Sequence, residues 1–510
     1  MNNAPINPFI RLDPHDNVIV ARSNVPVGSE VAAEGIVTLH DIPAGHKVST
    51  AFLAKGQAVL KYNTIIGYAS GDLAPGTWMH SHNIHFDEVI KDYAFTEGYQ
   101  PTDYIPPVRR ATFQGIVREN GAVATRNFIG VYVLSNAAGM VARKIAAGFK
   151  QRELQAYPNV DGVVAYVHQQ GDTMEASGEA MDMLRRTLSG FITNPNTAAA
   201  LIVAHGSEIN DLWAFLRSQD LEPGDRLKTL VIDQEGGSQS AIAKGRELVT
   251  RMLPLANDTR RETVSAEHLI VGLQCGGSDG FSGLSANPAL GAAVDLLVRN
   301  AGTAILSETP EIFGVEQTLT RRARSREVGQ KLVDRMNWWL KYNAGRDTQI
   351  NGKVSPGNSA GGIANVLEKS LGGAKKGGSS GLMEVYEFAQ RVVERGLVFM
   401  DTPGYDPCSA TGQIAGGANM VIFTTGRGSC FGSTPSPTIK LASNTPMFER
   451  MEADMDINCG VIIDGTETLP QLGQTIFEAL LRHASGERTK SEISGVGENE
   501  FVPWPLAVIC

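Results

Sequence analysis

The tightest constraint on the fold is an alternation of apolar runs and helix-like segments that begins near Gly115. Phe128-Ile129-Gly130-Val131-Tyr132-Val133-Leu134 reads as a strand, and the alanine-rich stretch from Ala137 to Phe149 reads as a helix. A strand from Gly162 to Val167, a helix from Gly178 to Leu188, and strands at Ala200 to Ala204 and Thr229 to Ile232 continue the pattern. Strands separated by helices in this way form a parallel sheet flanked by those helices. The pattern breaks after Pro254, at Asn257 and Asp258-Thr259-Arg260-Arg261. It resumes with Leu269 to Leu273, Ala304 to Leu306, a helix from Val328 to Tyr342, and Met420 to Phe423. The predicted fold class is therefore α/β, with two largely parallel units at 115–258 and 259–510. A chain of 510 residues needs more than one core.

Residues 1–92 differ. Short strand-like runs (Val18 to Ala21, Ala58 to Tyr62, Thr64 to Tyr68) are separated by turn residues such as Pro26, Gly28 and Pro43-Ala44-Gly45. This predicts a small β-rich domain. A linker over 93–114, with Pro101, Pro106 and Pro107, reads as an extended, solvated spacer.

The 55 glycines gather partly in polar loops of the last half. These are Gln274-Cys275-Gly276-Gly277-Ser278-Asp279, Ser355-Pro356-Gly357-Asn358, Asp401-Thr402-Pro403-Gly404-Tyr405-Asp406 and Thr424-Thr425-Gly426-Arg427-Gly428. Glycine lets the backbone approach a ligand closely, and loops at strand ends carry chemistry. Together they predict one composite polar site for a small oxygenated molecule. Gly276-Gly277-Ser278-Asp279-Gly280 lacks the Lys-Ser/Thr ending of a nucleotide loop. Its backbone N–H groups suit carboxylate or hydroxyl groups. Ser278, Asp279, Asn358 and Arg427 are the candidate substrate-binding residues. Arg427, between two glycines, can grip a carboxylate with both arms of its fork, or hold a loop. The run Gly372 to Ser380 reads as a mobile loop, and Cys275 as a buried structural cysteine.

His80-Ser81-His82-Asn83 is the sharpest short motif. In a strand, positions i and i+2 share a face, so His80 and His82 could present two imidazoles to one transition metal. The plain alternative is two solvent-facing loop histidines. Glu308, just past the strand ending at Leu306, is the candidate third ligand. His168 and His205, also at strand C-terminal ends, are candidate acid/base groups, against the alternative of satisfied loop polar groups.

The net charge of −9 argues against a nucleic-acid partner, and there is no polybasic membrane patch or long apolar run. Five cysteines with no close pairing argue against a disulfide framework. No signal-like start is visible, and the expectation is a cytoplasmic protein.

As an ensemble, several segments resemble the altronate/galactarate dehydratase family. They are Thr125-Arg126-Asn127, Gln274 to Asp279, Asn287-Pro288, Glu308-Thr309-Pro310-Glu311, Ser355 to Asn358, Thr424 to Gly428 and Asp456-Ile457-Asn458-Cys459-Gly460. The resemblance covers nearly the whole chain. It implies a β-clip (SAF-like) domain at the N-terminus that carries the histidine motif. It also implies removal of water from an aldonic or aldaric acid to give a 2-keto-3-deoxy acid, with a divalent metal, commonly iron(II). Three positions depart from the family's cysteines: Ala137, Asp172 and Ser207. Oxygen in place of thiolate favours a harder cation such as Mg²⁺ or Mn²⁺. The partner implied is a small hydroxy acid, and a homo-oligomer is compatible with this reading. Two alternatives stand beside it: a related lyase that expels sulfite from a sulfonated hydroxy acid, and a sugar-acid-binding protein without catalysis.

Overall fold

A computed structural model describes residues 7–86, 93–345 and 354–506. The N-terminal unit is built from short antiparallel strands. Phe9–Ile10, Val18–Ala21, Lys47–Ser49 and Trp78–Met79 form one sheet in that order, and Ala58–Lys61, Thr64–Ala69 and Ile84–His85 another. The turns between them are tight. At Gly76 the backbone is left-handed (φ +88°), and a Cβ there would stand 1.9 Å from the Val37 carbonyl oxygen.

The second unit holds a four-stranded parallel sheet in the order Gly162–Tyr166, Phe128–Val133, Thr197–Ala204, Leu227–Val231. Helices Gly139–Ala146, Glu179–Ile192 and Ser238–Asn257 complete it. The third unit carries seven parallel strands in the order Leu382–Tyr386, Gly396–Met400, Thr303–Leu306, Ile270–Cys275, Met420–Thr425, Thr438–Ala442, Ile457–Asn458. Its side chains alternate between faces. Val271, Leu273, Ala304 and Leu306 join the core under helices Ala286–Arg299 and Leu469–Ala484, while Ile305, Val398 and Met400 face the other side. Both α/β units follow the predicted alternation. An antiparallel ribbon ties them: Thr112–Val117 pairs with Arg261–Ser265, with Phe113 opposite Val264.

Two sequence expectations are corrected. The stretch 93–111 is extended and largely exposed, as expected, but it is not a free spacer. It is strapped to the third unit by Gly98 N–H to the Arg321 carbonyl at 2.8 Å and Ile105 N–H to the Arg299 carbonyl at 2.8 Å. The glycine-rich run after Leu371 is not a loose loop. Helix Val366–Ala374 runs into a 3-10 turn, Lys375–Gly377, whose Lys376 is buried. Glycine serves close packing there: a Cβ on Gly291 would meet the Lys375 carbonyl at 2.3 Å. The Asp295 carboxylate then accepts the N–H groups of Ser379 and Ser380 at 2.9 Å each.

The N-terminal unit docks on the segment 359–368. Lys47 Nζ donates to Glu368 Oε2 at 2.9 Å and to the Gly362 carbonyl at 2.7 Å, and Lys61 Nζ donates to Glu368 Oε1 at 2.6 Å. Asn365 Nδ2 reaches back to the Ile66 carbonyl at 2.6 Å.

Candidate active site

The four glycine-rich loops meet at the C-terminal edge of the seven-stranded sheet. Parallel register places their strands side by side and brings their carboxyl ends out together. Gly426 N–H donates to the Gly277 carbonyl at 3.2 Å, and Asn358 Nδ2 to the Ser278 carbonyl at 2.6 Å. Asp279 is buried and saturated. It accepts from Ser282 N–H (2.8 Å), Ser282 Oγ (2.8 Å), Ser443 Oγ (2.9 Å) and Asn444 Nδ2 (3.0 Å). Asn358 Oδ1 accepts from Ser355 N–H at 3.0 Å, closing a helix cap. Asp279 and Asn358 therefore knit the loops together. Arg427 differs: it is exposed and makes no ion pair or hydrogen bond among the described residues. Its side chain lies across two glycines. A Cβ on Gly357 would stand 1.9 Å from its Nη1, and one on Gly277 3.5 Å from its Nε.

Beneath the loops lies a charged cluster that the sequence reading missed. Lys376 Nζ stands 2.9 Å from Cys275 Sγ and 3.3 Å from Glu308 Oε2, and Cys275 Sγ is 4.0 Å from the same oxygen. Burial pushes the Cys275 thiol up to about 12, so it is a neutral thiol at ordinary pH. Burial also raises the Glu308 carboxyl, with the Lys376 charge opposing. Glu308 has a left-handed backbone (φ 68°), fixed by its N–H to Thr402 Oγ1 at 2.9 Å. Nearer the surface, Lys369 Nζ pairs with Glu311 Oε1 at 2.8 Å. Asp406, from the third loop, touches the first: a Cβ on Gly276 would meet Asp406 Oδ2 at 2.3 Å.

The histidine motif does not form a strand face. The strand ends at Met79, and the chain turns with Asn83 N–H bonded to the His80 carbonyl at 3.0 Å. His80 is buried and His82 exposed, with ring centroids 6.5 Å apart. His80 Nε2 meets Ser359 Oγ at 3.2 Å, while its buried Nδ1 has no partner.

Three family models match the chain in sequence: the SAF domain of altronate/galactarate dehydratases over 7–87, the second domain of D-galactarate dehydratase/altronate hydrolase over 115–257, and the C-terminal D-galactarate/altronate dehydratase model over 266–509. Altronate dehydratase of Escherichia coli (strain K12) is 33% identical over 490 residues, 95% of this chain and 96% of that one. The chain belongs to the altronate/galactarate dehydratase family. Galactarate dehydratase (L-threo-forming) of the same organism is 34% identical over 488 residues, 94% of this chain and 93% of that one. The (2R)-sulfolactate sulfo-lyase subunit beta of Chromohalobacter salexigens is 28% identical over 401 residues, 77% of this chain and 96% of that one. As a member of the dehydratase family the chain is an enzyme of the hydro-lyase class, and the small β-rich unit is its SAF domain.

The residues suit a metal in part. The buried Nδ1 of His80 has no partner and is open to a ligand role, and the exposed His82 ring lies 6.5 Å away between centroids. Glu308 does not complete the set, because its carboxylate is engaged by Lys376. Among the described residues no three His, Cys, Asp or Glu side chains are placed to hold a metal ion.

His168 and His205 lie apart from the composite loops, in the second unit. His168 Nε2 meets the Val133 carbonyl at 3.0 Å and its Nδ1 accepts Gln170 N–H at 3.2 Å, so both ring nitrogens serve the backbone. His205 is linked to Ser207 Oγ at 3.0 Å and to Asp233 at 3.8 Å. Ala137 and Asp172 also meet there: Ala137 N–H donates to Asp172 Oδ2 at 3.2 Å. Burial lowers the His168 imidazole to about 4 from an ordinary 6.5. Above pH 6.5 it is neutral folded or unfolded. As pH falls toward 4 only the unfolded chain takes up the proton, and about 3 kcal/mol of stability is lost. His168→Gln keeps one donor and one acceptor without titrating, so its urea midpoint should fall less than wild type's between pH 7.5 and pH 4.5. Equal falls would show that His168 is not the titrating group.

Proposed function

We propose that this chain removes water from an aldonic or aldaric acid by β-elimination, yielding a 2-keto-3-deoxy acid. The observation that carries the reading is Arg427, a guanidinium without a partner among the described residues, set between loops that meet at the sheet's carboxyl edge. Its planar fork matches a carboxylate. The Ser278 side chain stands ready for a hydroxyl group, while Asp279 and Asn358 hold the loops in place. A proton next to a carboxylate is weakly acidic, so its removal needs the developing enediolate stabilised. Arg427 supplies positive charge for that purpose. A divalent cation, iron(II) by family resemblance or Mn²⁺ or Mg²⁺, would be held by His80 and His82 and act as a Lewis acid toward the carboxylate and 2-hydroxyl.

The test is a screen of altronate, galactarate and other aldonates and aldarates with several metals, scored for 2-keto acid. No product from any of them would overturn the reading. Similarity to the sulfo-lyase subunit supports one second reading, expulsion of sulfite, so sulfolactate and sulfite detection belong in the same screen. Arg427→Lys keeps the charge but loses the fork. We expect about 1.5–3 kcal/mol lost from kcat/KM, with an unchanged melting temperature because the side chain supports nothing in the fold. Wild-type kinetics for this variant would remove Arg427 from the site.

A further inference from the structure

Three carboxylates and two ammonium groups crowd the carboxyl ends of the central strands, where the proposed elimination would take place. Glu308 and Lys376 form the inner pair at 3.3 Å, with the Cys275 thiol 2.9 Å from Lys376. Glu311 and Lys369 form the outer pair at 2.8 Å. Asp406 makes no ion pair among the described residues and stands against Gly276 of the composite loop. It opens helix Asp406–Ala415, so its carboxylate lies beside the helix N-terminus.

We infer that Asp406, set against Gly276, is the proton-accepting residue of the elimination and that Lys376, 2.9 Å from the thiol of the adjoining Cys275, sets its readiness. The inference rests on the dehydratase reading. The geometry favours Asp406 over the histidines. It is half-buried at the loops that Arg427 crosses, whereas His168 has both nitrogens bonded to backbone and His205 pairs within the second unit. Its acidity fits a proton acceptor, because burial and the charge of Glu311 raise it to about 6, while Lys376 and Lys369 oppose. A base poised near neutrality is effective for proton transfer. The step balances. Asp406 takes the proton from the carbon next to the substrate carboxylate as that C–H bond breaks and a carbon–carbon double bond forms. The neighbouring C–O bond breaks, and the departing hydroxide leaves as water with a proton returned from the same cluster. The cluster therefore ends the cycle with the protons it began with.

The test compares wild type, Asp406→Asn, Lys376→Met and Lys376→Arg with altronate and galactarate as probes. For Asp406→Asn we expect kcat to fall about 10²–10⁴-fold with KM nearly unchanged. Losing the Lys376 charge weakens Asp406 as an acid. The fall of kcat/KM on acidification should therefore move to higher pH in Lys376→Met and return in Lys376→Arg. A structural role for Lys376 would lower the melting temperature without moving that limb. Wild-type kcat in Asp406→Asn, or an unmoved limb in Lys376→Met, overturns the inference while leaving the dehydratase reading intact. Absence of wild-type turnover on both probes and on the wider screen overturns the reading and the inference with it. Carboxylate infrared bands followed against pH read the cluster without substrate. A titration near neutral pH that Asp406→Asn removes and Lys376→Met moves upward supports the inference, and its persistence in Asp406→Asn sinks it.

Discussion

Replacing Glu368 by Ala should lower the stability of this enzyme by about 3–5 kcal/mol, as expected when one partner of a buried ion pair is removed. One carboxylate here answers two ammonium groups. The Lys47 side chain is 0% exposed and that of Lys61 5%, and both end on Glu368. Ala364 N–H adds a further hydrogen bond to Glu368 Oε2 at 2.8 Å. Burial alone would push this carboxyl up, but the two lysines outweigh it and hold it well below the usual carboxylate range. Its contribution is therefore present above the pKa of an unfolded glutamate and is lost as pH falls into the acid range. The urea midpoint of Glu368→Ala measures the effect. A second variant, Lys47→Met with Lys61→Met and Glu368→Leu, removes all the charges together and should recover most of the loss, because apolar groups of similar volume often replace buried ion pairs without cost. A midpoint for Glu368→Ala equal to wild type would mean that the triad does not hold the SAF domain to the body.

The second large effect is on activity. A chain beginning at Arg110 should retain the two α/β cores and lose turnover altogether. His80 and His82 leave with the SAF domain, and so does the contact of His80 Nε2 with Ser359, next to Asn358 of the composite loop. In this shortened chain Glu368 loses both lysines but meets water. Residues 1–95 added in trans should restore part of the turnover. Full activity of the shortened chain would show that the SAF domain contributes nothing to the site.

Much of the architecture was legible in the sequence. Every strand named from apolar runs in the second unit is present, within a residue or three of its predicted ends. The glycine-rich loops that meet at the sheet's carboxyl edge were legible as a set, because glycine and small polar residues directly follow apolar strands there. Single-residue roles were harder to read. Asp279 and Asn358 look like substrate ligands in one dimension, yet their polar atoms are consumed by Ser282, Ser443, Asn444, Ser355 and the Ser278 carbonyl. Lys376 was hidden in a glycine-rich run whose glycines serve packing, as Gly378 does against Gly291, and not flexibility. Asp406 stood in a named loop, but nothing local distinguished it from Asp401, which is tied to Trp339 Nε1 at 2.8 Å and Thr309 Oγ1 at 2.5 Å.

By itself the sequence determined the parallel sheets, the position of the β-rich unit and the loops that would carry chemistry. Strand and helix periods and glycine placement are local properties, written within about ten residues. Only the tertiary structure decided which charges meet. Lys47 finds Glu368 across 321 residues, Lys376 finds Cys275 across 101, and Lys376 finds Glu308 across 68. No local pattern encodes such pairs. A lysine becomes a buried partner or a solvated surface group according to what the fold sets against it, and burial then decides its chemistry.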